Sequence, residues 1–401
     1  MVVLEVADLL RRPVRLGYSP QVRFRIRALA TTVALLAGLV TAAVQSGPAS
    51  AVLPSTACKI SGPMAWRFPA PADPHAEPGE IRAFVQYQAT NGGGTYAGVA
   101  VTWGPAVTFR VIRYSAGRVT VLATFTYTTQ VNLYDDSVKV VGIDGQGYII
   151  VRVQAAGSDA SQQRYVGYRF DGAGHRWQLQ ASPLWTSYAP VGVTWQGVVV
   201  GWARYGRALH PPNVQTIKWT GTGQGHVQLI GPRSEVSPVA TNRRGDILYS
   251  DEVVLTDGRT FSLGMLPGSY NFGWGAMKLT NDAAYGIVTP HGDDPFGVGW
   301  SYPSVPTAAD GTRLAGRPVS YLVWLDAVGT YDDVVGEFPG NHDPDSGVRV
   351  LVTRTGKAYR LPPQFNQGRN FPPEPATVID DYGRVVYTGT DGLPHMMSCP
   401  L

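Results

Sequence analysis

A block of four short strands recurs along the chain, and this repeat constrains the fold more than any other feature. Its clearest copy spans residues 138–179, where two pairs of β-branched and aromatic runs are each joined by an Asp-x-x-Gly turn. The turns begin at Asp144 and Asp171. Asp and Gly favour turns, and β-branched and aromatic side chains favour strands. The block therefore predicts a small sheet whose strands follow one another along the chain.

Further copies of the block account for most of the chain after residue 80. They lie at residues 83–122 and 347–361, both degenerate, and at 191–229, 239–263, 277–335 and from 376 onward. Repeats of four short strands at this spacing are typical of propeller blades. The sequence therefore predicts an all-β β-propeller of about seven four-stranded blades, with six as the alternative. A pair of β-sandwiches is the rival architecture, but it does not explain the repeat.

Two of the copies resemble the repeats of extracellular HAF-type propellers. Residues 279–288 read LTNDAAYGIV and are followed by the aromatic segment 321–324, which is similar to the family pattern N-D-x-G-x-V-V-G and its aromatic strand. Residues 379–387, IDDYGRVVY, are similar as well. The resemblance implies a propeller fold in an extracellular setting and no defined activity.

Residues 1–51 have the pattern of a signal peptide. Three arginines at 23–27 precede an uncharged apolar run at 28–44, and small residues follow at 49–51. This order of charged, apolar and small-residue regions is the one that signal peptidase reads. The apolar run is at the short limit of what spans a bilayer, so an uncleaved membrane anchor is the alternative. We expect cleavage after Ala51 and an extracellular protein with no membrane attachment.

The predicted organisation after the leader is one domain with a short preceding segment. Residues 52–80 contain Cys58 and a Pro/Ala-rich stretch, and residues 81–401 form the propeller. The leader has a long stretch before its arginines, so the true start is either Met1 or a position near Val22.

Cys58 and Cys399 are the only cysteines in the chain. An even pair in an exported protein normally forms a disulfide bond. This bond would join the two ends of the domain, as a circular fold requires of its first and last segments. We therefore expect a monomer whose ring is closed by a disulfide.

The charge of the chain changes when the leader is removed. The leader holds six arginines and two acidic residues, so residues 52–401 carry 27 basic and 27 acidic side chains. A neutral chain without a Lys/Arg run lacks the electrostatic footprint of nucleic-acid binding. On this basis we expect no nucleic-acid partner.

Loop lengths predict which face of the propeller carries function. The turns between first and second strands, and between third and fourth, are tight and lie on one side, the tight-turn face. The other connections lie on the opposite side, the long-loop face, and are predicted at 181–190, 203–215, 265–275, 289–320, 336–346 and 362–375. Binding residues usually occupy such loops on a rigid scaffold.

The predicted long-loop face is rich in aromatic residues. The candidate ligand-binding residues are Trp185, Tyr188, Tyr205, Tyr270, Trp274, Trp300 and Tyr302. Flat rings beside hydrogen-bonding groups are what a sugar-binding site needs. The alternative is that these rings pack between blades or over the core.

Two predicted loops also combine histidine with carboxylates. Asp293 and Asp294 follow one histidine, and Asp343 and Asp345 follow another. Four such oxygen ligands would suit Ca²⁺. Solvated turns are the alternative interpretation, because Asp, Gly and Pro are turn residues.

Motifs for catalysis are not found in the sequence. It has no G-x-S-x-G elbow, H-E-x-x-H motif, Walker loop or dinucleotide fingerprint. The leading hypothesis is a secreted non-catalytic protein that binds an extracellular glycan on its aromatic long-loop face. An extracellular protein-interaction platform and a carbohydrate-active hydrolase or lyase are the alternatives.

Overall fold

The computed structural model of the protein describes residues 58–64, 66, 83–104, 106–128, 137–155, 164–206, 213–234, 236–249, 252–262, 269–272, 278–280, 283–290, 298–303, 317–318, 324–330, 333–338, 348–353, 357–361, 378–389 and 392–399. Every regular element in these residues is a β-strand, and none is a helix. No helix able to cross a membrane is found in this described part. The predicted leader lies outside the described residues.

The strands pair into seven antiparallel sheets, numbered here as blades 1 to 7 along the chain. Strand β1 (Lys59–Pro63) comes first and belongs to the last blade. Blade 1 consists of β2 (Ala83–Thr90), β3 (Tyr96–Thr102), β4 (Val107–Ser115) and β5 (Arg118–Tyr127). Blade 2 consists of β6 (Val138–Ile143), β7 (Ile149–Gln154), β8 (Tyr165–Phe170) and β9 (Arg176–Gln178). Blade 3 consists of β10 (Trp185–Val193), β11 (Val199–Tyr205), β12 (Val214–Thr220) and β13 (His226–Ser234).

The remaining blades follow the same order, and six of the seven sheets have four strands. Blade 4 consists of β14 (Ala240–Thr241), β15 (Ile247–Leu248), β16 (Glu252–Val254) and β17 (Thr260–Ser262). Blade 5 has five strands: β18 (Ser269–Phe272), β19 (Lys278–Leu279), β20 (Ala283–Pro290), β21 (Val298–Pro303) and β22 (Arg317–Pro318). Blade 6 consists of β23 (Trp324–Val328), β24 (Val334–Phe338), β25 (Val348–Val352) and β26 (Ala358–Arg360). Blade 7 consists of β27 (Val378–Ile379), β28 (Arg384–Thr388), β29 (Pro394–Ser398) and β1.

The tight turns share one hydrogen-bonding arrangement, which explains the repeated Asp-x-x-Gly pattern. Asp144 Oδ1 accepts hydrogen bonds from the backbone N–H groups of Gln146 and Tyr148, both at 2.9 Å. Gly147 then takes a φ of 87°, a conformation that residues with a Cβ rarely adopt. Turns of the same kind start at Asn91, Asp171, Asn242 and Asp380. The side chain satisfies the turn's own N–H groups, so each turn is specified locally.

The seven sheets form a closed ring around one axis. In blade 5, β18 and β19 both pair with β20, and β19 takes the first-strand position at the axis. The first strands contact one another in sequence: β2 with β6, β6 with β10, β10 with β14, β14 with β19, β23 with β27 and β27 with β2, while β20 contacts β23. Small residues permit the close approach, since a Cβ on Gly142 would lie 2.7 Å from Val193 Cγ1. Between blades 1 and 2, Val99 and Val140 belong to one buried apolar cluster. Each such valine stabilises the fold by roughly 1.5–3 kcal/mol.

Blade 7 joins the two ends of the chain and closes the ring. Strand β1, from the N-terminal side, pairs with β29 at the C-terminal end, and Cys58 forms a disulfide bond with Cys399. On the other side of the closure, the Tyr96 hydroxyl of blade 1 donates to Asp380 Oδ2 of blade 7 at 2.7 Å. The all-β propeller prediction and the predicted disulfide are therefore confirmed.

Several predicted boundaries are wrong. The loop predicted at 289–320 contains strands β21 and β22, and the loop predicted at 265–275 contains β18. The copy predicted at 277–335 joins two blades, because β20 pairs with β21 and the segment at Trp324–Val328 is the first strand of blade 6. The copy at 347–361 is the outer half of blade 6 rather than a separate blade. The loop predicted at 181–190 is shorter, since β10 begins at Trp185. Short runs of the same composition form inner and outer strands alike, so composition alone did not separate them.

Candidate functional site

Three predicted ligand-binding residues are described together with their side chains, and all three lie in blade 3. Trp185 and Tyr205 are paired at the long-loop ends of β10 and β11, with ring centroids 6.4 Å apart. Both are half-buried. Tyr188 lies three residues further along the same strand, and its ring centroid lies 6.0 Å from that of Trp185. The structure thus brings these residues together.

Tyr188 is a packing residue. It is 5% exposed, and its ring lies 6.1 Å from that of buried Trp219. Its hydroxyl accepts a hydrogen bond from Gln178 Nε2 at 2.8 Å and donates to the carbonyl of Leu179 at 3.2 Å. Burial raises the pKa of the Tyr188 hydroxyl, although the Gln178 hydrogen bond opposes this. These contacts hold blades 2 and 3 together, as the packing interpretation of the aromatic residues predicted.

A row of alternating arginine and aromatic side chains crosses the junction of blades 2 and 3 on the long-loop face. The Arg152 guanidinium lies 4.8 Å from the centre of the Tyr165 ring, and the Tyr165 ring lies 6.3 Å from that of Trp202. The Arg204 guanidinium follows, 5.5 Å from the Trp202 ring. We call these four residues the Arg–aromatic row. Arg204 is exposed and the other three are half-buried.

A third arginine stacks beside the row. The Arg233 guanidinium lies 3.7 Å from the centre of the Tyr205 ring, whose hydroxyl donates to Gln215 Oε1 at 2.9 Å. The sequence pointed to Tyr205 but to none of the arginines, nor to Tyr165 and Trp202. Their position in strands with alternating side chains was a possible signal, but the contacts join residues up to 37 positions apart.

The first strands of all seven blades enclose an axial cavity of about 260 Å³ next to the tight-turn face. Its wall includes the last residues of these strands, such as Thr90, Ile143, Thr241, Leu279 and Ile379. Because every blade contributes to it, the cavity marks the propeller axis. Its lining combines small apolar residues with polar groups, among them Gln88, Asn242 and Arg243.

An ion pair crosses the mouth of this cavity between blades that are not neighbours. Arg243 of blade 4 donates to both carboxylate oxygens of Asp381 of blade 7, at 2.9 and 3.3 Å. The Arg243 guanidinium also stacks 4.9 Å from the centre of the Trp195 ring. Gly92 makes room for Asp381, since a Cβ there would lie 2.1 Å from Asp381 Oδ2. The sequence did not point to this pair, which depends entirely on the ring.

The other predicted site residues are only partly covered by the structure. Tyr270 lies in β18, and Trp300 and Tyr302 lie in β21 rather than in a loop, but their side chains are outside the described part. Trp274 and the four predicted calcium ligands, Asp293, Asp294, Asp343 and Asp345, lie outside the described residues altogether. Among the residues that are described, no group of three or more His, Cys, Asp or Glu side chains is placed to hold a metal ion.

Comparisons with known proteins find similarity only to solved structures, and it is low. No protein-family profile and no curated protein sequence matches the chain. Among solved structures, virginiamycin B lyase from Staphylococcus aureus is 10% identical over 80% of this chain and 100% of that chain, with a TM-score of 0.45. BamB from Moraxella catarrhalis is 11% identical over 79% of this chain and 90% of that one, with a TM-score of 0.35. A puromycin-hydrolysing peptidase of Mycobacterium tuberculosis is 16% identical over 76% of this chain and 57% of that chain, with a TM-score of 0.38.

Proposed function

We propose that this protein is exported, loses its leader after Ala51 and acts as a non-catalytic binding protein for an extracellular glycan. The ligand lies on the long-loop face of blades 2 and 3. The leader pattern and the Cys58–Cys399 disulfide support export, because disulfides persist in oxidising compartments.

The observation that carries the proposal is the Arg–aromatic row together with the neighbouring Trp185, Tyr205 and Arg233. Half-buried rings of this kind are held by packing on rigid strands, so little side-chain entropy is lost when a ligand binds. Their apolar faces can stack on the C–H faces of sugar rings. The stacked guanidinium groups of Arg204 and Arg233 keep N–H donors at their edges, which can bond to sugar oxygens.

The test is retention of the purified, oxidised protein on soluble and insoluble glycans. Trp202→Ala is expected to weaken binding at least tenfold, which corresponds to about 1.4 kcal/mol. Arg204→Gln, at an exposed position, should weaken it in the same direction without affecting the fold. Trp195→Ala is the matched control, because Trp195 is 44% exposed but lies on the tight-turn face.

Three outcomes would replace this proposal. Release of reducing ends from a bound polymer would make the protein a carbohydrate-active enzyme. Retention of an extracellular protein, with no glycan bound, would make it a protein-interaction platform. Equal losses from Trp202→Ala and Trp195→Ala would move the binding site away from the long-loop face.

A further inference from the structure

The charges of the chain are divided between the two sides of the ring. Residues 83–234, which form blades 1–3, hold 12 basic and 5 acidic side chains. Residues 235–401 hold 12 basic and 19 acidic side chains. The neutrality of the mature chain is therefore the sum of a basic part and an acidic part. A global neutral charge does not exclude an anionic partner when the basic groups share one surface.

Within the described residues of blades 2 and 3, the long-loop face carries arginines and no carboxylate, whereas the tight-turn face carries both signs of charge. The described residues of these blades include two carboxylates, Asp144 and Asp171, and both belong to turns on the tight-turn face. The long-loop ends of the strands carry Arg152, Arg204 and Arg233. Arg164, at the start of β8, is exposed at the same end.

The stacking geometry leaves Arg204 and Arg233 able to bind carboxylates. A ring covers one face of each guanidinium, at 5.5 Å for Arg204 and 3.7 Å for Arg233. No described carboxylate forms an ion pair with Arg204 or Arg233. The N–H donors lie in the guanidinium plane, so stacking orients them and leaves their edges open. This edge is the one that binds a carboxylate with two parallel hydrogen bonds.

We infer that the ligand of this surface is an anionic polysaccharide whose sugar rings carry carboxylates. The inference rests on the proposed function and names its substrate class. A sugar ring of such a polymer stacks on Trp202 or Tyr205, and its carboxylate meets the neighbouring Arg204 or Arg233. Successive uronate residues can then follow the surface from blade 2 to blade 3. A neutral glycan would stack on the rings but would have no carboxylate to bind the arginines.

The test compares each polyuronate with its own carboxyl-reduced, neutral form. Polygalacturonate, alginate and a glucuronate-containing polymer are suitable probes, and a single-stranded oligonucleotide of similar charge density serves as the polyanion control. We expect at least tenfold tighter binding of one polyuronate than of its reduced form or of the oligonucleotide. Its affinity should fall with salt, because each ion pair formed releases counterions.

Variants test whether polyuronate binding occurs on the long-loop face of blades 2 and 3. Arg204→Gln with Arg233→Gln should weaken polyuronate binding at least tenfold and leave any binding of the reduced polymer unchanged. Arg118→Gln is the matched control, because Arg118 is exposed in a turn of blade 1 on the tight-turn face. It should change the affinity less than twofold.

Each remaining outcome decides against the inference in a distinct way. Equal binding of a polymer and its reduced form overturns the inference but leaves the proposed glycan function standing. Binding of neither form overturns both. Oligonucleotide binding as tight as that of the polyuronate shows a general polyanion surface. Polyuronate binding that the double variant does not weaken shows that the site lies elsewhere.

Discussion

Asp246 shows how much one turn residue can contribute to the stability of a blade. Its carboxylate is 4% exposed, and it accepts hydrogen bonds from Asn242 Nδ2 at 2.8 Å and from the Thr256 hydroxyl at 2.8 Å. Arg244 Nη2 lies 2.8 Å from the same carboxylate. Burial alone raises the pKa of Asp246, but the hydrogen bonds from Asn242, Thr256 and Arg244 outweigh it, and the pKa lies below its usual value of 3.8.

The lowered pKa of Asp246 predicts a specific pH dependence. A carboxyl whose folded pKa lies below its unfolded pKa stabilises the protein above the unfolded value, and the stabilisation is lost as pH falls through the folded pKa. We expect Asp246→Asn to lower the free energy of unfolding by about 1–3 kcal/mol at pH 7. The difference from the wild type should shrink as pH falls below about 4. Urea unfolding of both proteins at a series of pH values measures this difference. A difference that stays constant with pH would contradict the lowered pKa of Asp246.

Arg169 acts at the scale of whole elements, because it joins β8 of blade 2 to two turns of blade 3. Its side chain is 1% exposed and donates to the carbonyl of Gly197 at 2.9 Å and to the carbonyl of Gly221. Burial lowers the pKa of Arg169, and the nearby Asp144 carboxylate opposes this. The guanidinium donates hydrogen bonds to two backbone carbonyls that would otherwise lack a donor inside the protein.

Replacing Arg169 should therefore weaken the junction between these two blades. We expect Arg169→Gln to lower the free energy of unfolding by about 3 kcal/mol, because buried carbonyls and a nearby carboxylate lose their partner. Arg176→Gln is the matched control, since Arg176 is exposed in the neighbouring strand β9. It should change stability by less than about 0.5 kcal/mol. Equal effects in urea unfolding would show that Arg169 has no special role.

At the scale of the whole molecule, stability depends on closing the ring. The last blade borrows β1 from the N-terminal side, and the disulfide joins residues 341 positions apart beside that strand. Cys58 and Cys399 also pack against the buried cluster of blades 6 and 7. The Arg243–Asp381 pair adds a contact across the axis. These links all act between parts of the chain that are distant in sequence.

The closure can be tested by removing the disulfide. A Cys58→Ser, Cys399→Ser double variant should lose about 4 kcal/mol of unfolding free energy, because a long closed loop restricts the unfolded chain strongly. Guanidinium unfolding of the variant, compared with the oxidised wild type, measures the loss. A reduced wild type should match the variant, and a midpoint equal to that of the oxidised protein would contradict the role of the bond.

Local chemistry explains which parts of the structure were predictable. The turn at Asp144 satisfies its own backbone N–H groups, and Gly147 has the φ that the turn needs, so a few adjacent residues specify it. The repeat and the all-β class followed from such local patterns, and the disulfide followed from the presence of only two cysteines. Strand β21 of blade 5 was missed because residues 289–320 were predicted to be one long loop, although β21 follows β20 at Val298.

The sequence by itself determined the repeated sheet, its turns and the pairing of its two cysteines, because each depends on neighbouring residues or on elimination. Only the tertiary structure decided which aromatic residues are accessible. Tyr188 was buried by its partners Gln178 and Trp219, whereas Trp202 was placed between Tyr165 and Arg204 on the surface. These contacts join different blades, and their geometry follows from the curvature of the ring. Burial and electrostatic fields depend on distances in space, so the order of residues alone did not specify them.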